Sequence, residues 1–164
     1  MTGSTKKLKK LLAEIDTSYN QESNNNKALL WAKMATIEVS GWTEEYIDNL
    51  LNNYINSINP NCKSSLFKKI EKIYGFHYSS DFKNICIQIL GSIMFEKIEN
   101  KIPLECQQLE SALNGLKSNR DKYTHTHILN KVPIDAPNKS MSYLNQIEVG
   151  LKKFMMELRK VKIK

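Results

Sequence analysis

The chain is poor in the residues that break or staple a fold. Six glycines and four prolines in 164 residues fall mostly between apolar segments, so long helices are expected and many short, turn-linked strands are not. No segment shows convincing strand alternation. The three cysteines, Cys62, Cys86 and Cys106, are odd in number, widely spaced and lack a C-x-x-C pair. That excludes a disulfide scaffold and a cysteine-based zinc site. No apolar run reaches the roughly 20 residues of a transmembrane helix, and no signal-peptide stretch follows the basic start Met1–Lys10. The expected setting is cytoplasmic, away from membranes. There is no glycine-rich phosphate loop and no nucleophile elbow. Arginine is scarcest of all for its class: of 24 basic residues only Arg120 and Arg159 are arginine.

The net charge of +7 is unevenly spread. Met1–Lys10 carries four lysines and no acid, and Lys139–Lys164 carries +5, leaving −2 for the middle. Basic ends around a near-neutral body suit a polyanion such as RNA, or simply solvated termini.

The apolar spacing predicts an all-α, single-domain bundle of five to six helices. A basic N-terminal helix and polar loop occupy 1–26, and a helical domain follows over 27–164. The first helix spans Thr5 to Tyr19. A long stretch, Lys27 to Ile58, places Leu30, Met34 and Ile37 on an apolar face, with a bend and restart at Gly41-Trp42-Thr43. A short helix opens at Ser64 or Ser65 and closes at Gly75. Another runs from Ser80-Asp81 to about Lys97, with Phe82, Ile85, Ile89 and Ile93 inward beside Cys86, Leu90 and Met94. The next, Glu105 to Thr124, has Cys106, Leu109, Leu113 and Leu116 as its seam. A loop covers Ile128 to Lys139, and a last helix covers Ser140 to about Lys160. Trp31 and Trp42 read as core, and His77 as a helix-junction residue.

Arg120 occupies the next seam position after Leu116, where a leucine would otherwise stand. A charge there faces the interior or a cleft and requires a partner. The run Arg120-Asp121-Lys122-Tyr123-Thr124-His125 pairs a forked, always-charged phosphate donor with a side chain that exchanges protons near neutrality. On an unbroken helix the two would sit about 140° apart. They converge if the helix ends near Tyr123-Thr124, which β-branched Thr124 and Thr126 favour. His127, seven residues from Arg120, would share its face if the helix ran on, so geometry leaves both histidines open. Such a pair suits cleavage of RNA by its own 2′-hydroxyl, with the histidine moving the proton and the arginine neutralising the phosphate oxygens. No cofactor or metal is expected. His125-Thr126-His127 lacks accompanying ligands of zinc spacing. Asp121 could orient the histidine or fix Arg120, and Tyr123 could donate to phosphate or pack.

The stretch Leu113–Thr126 resembles the signature of HEPN domains, in which an apolar helix leads into arginine, a polar residue and, after four to six intervening positions, histidine. Ala32–Glu45, with Glu38 four residues before Trp42, resembles the early helix of the RiboL-PSP-like HEPN branch. The resemblance covers roughly residues 27–160. It implies a metal-independent endoribonuclease acting as a homodimer whose two motifs form one composite cleft. Arg120 and His125 would be catalytic, with Asp121 at the polar position and Glu38 supporting. The spacing rule favours His125 over His127. It further implies a toxin or anti-phage role, with an antitoxin or defence protein as a possible partner. Three positions depart from the pattern: Asp121 stands where asparagine is frequent, Thr126 where glycine is often seen, and His127 where one toxin branch has tyrosine. The alternative expectation is a non-catalytic HEPN-like module for RNA or nucleotide binding or for dimerisation.

Overall fold

A computed structural model describes residues 2–58, 70, 75–125 and 133–160. The described chain is all-α, with six helices and no strand: α1 (Thr2–Gln21), α2 (Asn25–Ile58), α3 (Asn84–Leu90), α4 (Ser92–Lys101), α5 (Pro103–Thr124) and α6 (Pro137–Lys160). No described helix is long and apolar enough to cross a membrane. Cys62 and the short helix expected from Ser64 or Ser65 lie wholly or largely outside the described residues, as does the first part of the loop expected from Ile128.

Local chemistry accounts for most boundaries. The polar break after α1 is short because Asn24 caps α2, its Oδ1 accepting from the amides of Asn26 (3.0 Å) and Lys27 (3.2 Å). Helices α5 and α6 begin two and three residues earlier than expected, each with proline in its first position, where a missing amide costs nothing.

Three expectations are corrected. First, α2 runs unbroken through Gly41-Trp42-Thr43, and Thr43 is a buried mid-helix residue, not a cap. Second, Leu30, Met34 and Ile37 are exposed. The first half of α2 instead buries the small residues Ala32, Ala35, Thr36, Val39 and Ser40. These can pack inward despite two hydroxyls because the hydroxyls are satisfied. Thr36 Oγ1 lies 3.3 Å from the Ala32 carbonyl and 3.1 Å from Ser140 Oγ, and Ser40 donates to the Thr36 carbonyl at 2.7 Å. Third, the helix expected from Ser80 to Lys97 is two helices. A six-residue π-helical turn, Tyr78–Lys83, leads into α3, and Gly91 at φ +81° separates α3 from α4. That backbone region favours glycine, and the break leaves Ile93 exposed. His77 is the junction residue, its Nδ1 accepting from the Ser80 amide at 3.5 Å.

The chain forms two compact units, Met1–Trp42 with Gly115–Asn145, and Thr43–Asn114 with Gln146–Lys164. The first buries Leu8, Leu12 and Ile15 of α1 with Leu116, Tyr123 and Leu144. The second has an aromatic centre, with Phe82 and Phe95 packed on Phe154 at 5.2 and 5.5 Å between ring centroids. In that unit Glu99 accepts from Tyr78 Oη (2.7 Å) and Lys83 Nζ (2.9 Å). Gly150 lets α6 approach α5 closely, since a Cβ there would meet Leu109 Cβ at 2.8 Å.

Candidate active site

Helix α5 delivers the arginine. The seam residues Cys106, Leu109, Leu113 and Leu116 are all buried, and Arg120 continues the register at the helix's C-terminal end with its side chain 20% exposed. Both Nε and Nη2 lie 3.2 Å from Asp121 Oδ1. Of the two roles open to Asp121, the structure shows it holding the arginine. Lys117 Nζ also binds Asp121, through Oδ2, one helical turn back. The Lys117 hydrogen bond, aided by Arg120, holds the Asp121 carboxyl below its ordinary pKa.

The helix then ends where the threonines suggested. Thr124 is its last residue, and its Oγ1 donates to the carbonyls of Arg120 (2.9 Å) and Asp121 (3.2 Å). The hydroxyl thus adds a side-chain donor to carbonyls of the last turn. His125 is the next residue, exposed in a bend just beyond the helix. Among the described residues no hydrogen bond links His125 to Arg120, Asp121 or Tyr123. His127 lies outside the described residues. Glu38 is on α2, exposed, in the same compact unit.

Tyr123 packs: it is 1% exposed, and its hydroxyl accepts from the Asp135 amide at 2.8 Å. Burial raises its pKa. Two neighbours join it in fastening the returning segment to α5. Asn119 Nδ2 donates to Asp135 Oδ2 (2.8 Å), and Lys122 Nζ donates to the Pro133 carbonyl (3.1 Å). The segment Pro133–Asp135 thus forms a wall beside the motif. Sequence reasoning missed Lys117, Asn119 and Asp135. The i, i+4 spacing of Lys117 and Asp121 was a readable signal, whereas Asp135 comes from a distant stretch with no periodic mark.

The end of α5 gathers three cations, Arg120 and Lys117 held on Asp121 and Lys122 on the Pro133 carbonyl, with an exposed imidazole just past the helix. No group of His, Cys, Asp or Glu suited to a metal ion occurs among the described residues.

A small hollow lies in the other unit, lined by Glu44, Asp48, Phe76, Asp81 and Phe82 among others. Its usable space is about 10 Å³, enough for roughly one water and not for a substrate. Burial, and then the charge of Glu44, pushes the Asp48 carboxyl up to about 6. The thiol of Cys86 is buried and raised by that burial, and Cys106 is pushed up to about 11 for the same first reason. Neither is a ready nucleophile.

No protein-family model matches this chain, and no curated protein or solved structure matches it either. The HEPN resemblance therefore rests on the residues of the motif and their helical setting.

Proposed function

We propose that this chain is a metal-independent endoribonuclease of HEPN type, with Arg120 and His125 as its catalytic residues. The observation that carries the reading is the end of α5 at Thr124. It releases His125 from helical geometry while Asp121 holds the Arg120 guanidinium one turn back. The 2′-hydroxyl of the substrate loses its proton and attacks the adjacent phosphorus. The phosphorus–O5′ bond breaks, giving a 2′,3′-cyclic phosphate and a 5′-hydroxyl that gains a proton. His125 takes the first proton or, as imidazolium, supplies the second. A homodimer with a composite cleft would bring two such histidines to one scissile bond. Arg120 neutralises charge on the non-bridging oxygens. Asp121, Tyr123, Glu38 and His127 remain supporting positions, with Asp121 and Tyr123 acting on the site's architecture. The biological setting we propose is that of a toxin or anti-phage effector, with RNA as substrate and an antitoxin or defence protein as partner.

The test is incubation of the purified protein with labelled single-stranded RNA and tRNA in EDTA, beside Arg120→Ala and His125→Ala. Wild type should cleave and leave cyclic ends, and each variant should lose about 10²- to 10⁴-fold. Equal cleavage by His125→Ala would remove the role assigned to it. Binding without cleavage by any of the three would favour the non-catalytic module.

A further inference from the structure

Helix α1 packs Lys6, Lys7, Lys9 and Lys10 into five consecutive positions, and its first acid is Glu14. Lys6, Lys7 and Lys10 are exposed, while Lys9 is half-buried. On a helix Lys6 and Lys10 are neighbours at i, i+4, and Lys7 and Lys10 at i, i+3, so their like charges repel. Among the described residues the ion pair open to these three is Lys10 with Glu14. It is long (3.8 Å), with side chains 82% and 62% exposed. It also runs in the lysine-before-glutamate order, the weaker orientation. The free helix therefore carries a crowded positive face that its own residues barely compensate.

The opposite face excludes insertion of α1 into a bilayer. Thr5, Leu8, Leu12 and Ile15 are buried in the protein. A helix that lies on a bilayer must offer an apolar face to the acyl boundary, and the apolar face of α1 is already used. What remains is recognition by charge alone, the mode by which proteins hold a nucleic-acid phosphate backbone. Helix α1 also belongs to the same compact unit as Arg120 and His125.

We propose that Lys6, Lys7 and Lys10 of α1 form a docking surface for the phosphate backbone of RNA, separate from the cleaving residues. This rests on the reading of RNA as ligand but not on catalysis. The experiment uses the full chain and a fluorescent 2′-O-methyl RNA, which lacks the attacking hydroxyl and survives intact. Anisotropy titrations from 50 to 200 mM KCl would compare wild type, the triple variant K6Q/K7Q/K10Q, and a control triple, K97Q/K101Q/K153Q, made of exposed lysines elsewhere. The α1 triple should bind at least tenfold more weakly at 50 mM. Its slope of log affinity against log salt should fall by about 2, since each single-strand phosphate contact contributes about 0.7. Its melting temperature should hold or rise, because charge repulsion is relieved. Equal loss by both triples would mean a generic net-charge effect and overturn the proposal. Unchanged binding by the α1 triple would overturn it while leaving Arg120 and His125 as they stand. No binding of RNA by wild type, or binding only to phosphatidylserine vesicles or an acidic protein, would overturn it together with the RNA reading. Binding without cleavage of ordinary RNA would count against catalysis alone.

Discussion

Arg120 and Asp121 are adjacent in the chain, and their side chains meet on the surface of α5, with two guanidinium nitrogens 3.2 Å from one carboxylate oxygen. The second carboxylate oxygen is taken by Lys117. One acid therefore organises two cations at the end of the helix. It positions Arg120 and also competes with any phosphate for the same donors.

That competition is measurable. Asp121→Asn keeps the shape and removes the charge. RNA affinity at fixed salt should tighten by about 2- to 5-fold, the worth of one partly exposed charge pair. Cleavage should fall if the orientation of Arg120 matters and persist if only its charge does. Weaker RNA binding by Asp121→Asn would mean that the carboxylate helps the ligand instead of competing with it.

The choice of arginine is itself testable. Arg120→Lys retains the charge and loses the planar fork. The proposed role requires a drop in cleavage of at least about 10²-fold, with a smaller loss in RNA binding. A lysine variant as fast as wild type would reduce Arg120 to a point charge.

The hollow in the second unit predicts a pH dependence. Asp48 is raised to about 6 in the folded protein, against about 3.9 for an unperturbed aspartate. The folded state thus binds the proton more tightly. Its contribution favours folding below about pH 4 and fades as pH rises through 6, leaving a penalty at pH 7 of at most about 3 kcal/mol. Asp48→Asn should raise the melting temperature at pH 7 and flatten the change in stability between pH 5 and 7. Equal pH profiles for the two proteins in urea unfolding would show that Asp48 is better solvated than its surroundings imply.

Close helix approach predicts a packing defect. A Cβ at Gly150 would meet Leu109 Cβ at 2.8 Å, and both are buried. Gly150→Ala should destabilise by about 1–3 kcal/mol, although alanine favours the helix itself. Chemical denaturation would show this as a lower midpoint. A variant at least as stable as wild type would mean that α5 and α6 can part without cost.

A buried hydroxyl pair offers a cycle. Thr36→Val leaves Ser140 without its side-chain partner 3.1 Å away and should cost about 1–3 kcal/mol. Adding Ser140→Ala should recover part of the loss, because no polar group is then stranded. Strict additivity of the two changes would show that the hydroxyls do not interact.

Much of the architecture was legible from periodicity. The all-α class, the seam Cys106–Leu109–Leu113–Leu116 and the buried face of α6 follow from apolar spacing alone, because a helix needs one stripe to bury. The end of α5 near Thr124 was legible too, since β-branched threonines there favour an end to the helix. The buried half of α2 was not. Its small residues carry little apolar signal, whereas the larger Leu30, Met34 and Ile37 carry more and stand exposed. The π-helical turn and the split at Gly91 also escaped, because one glycine within an apolar run has no unique local meaning.

The candidate site divides in the same way. The sequence by itself determined which chemistry can gather at the end of α5: a lone forked cation on an apolar seam, a carboxylate beside it and a histidine past the last turn. Those follow from residue type and 3.6-residue spacing, which are local properties. Only the tertiary structure decided that Asp135 and Pro133 return to Tyr123, Asn119 and Lys122, and that Tyr123 is thereby buried and committed to packing. Contacts across eleven to sixteen residues depend on where the chain can close while satisfying its buried polar groups, and no repeat distance in the sequence encodes that.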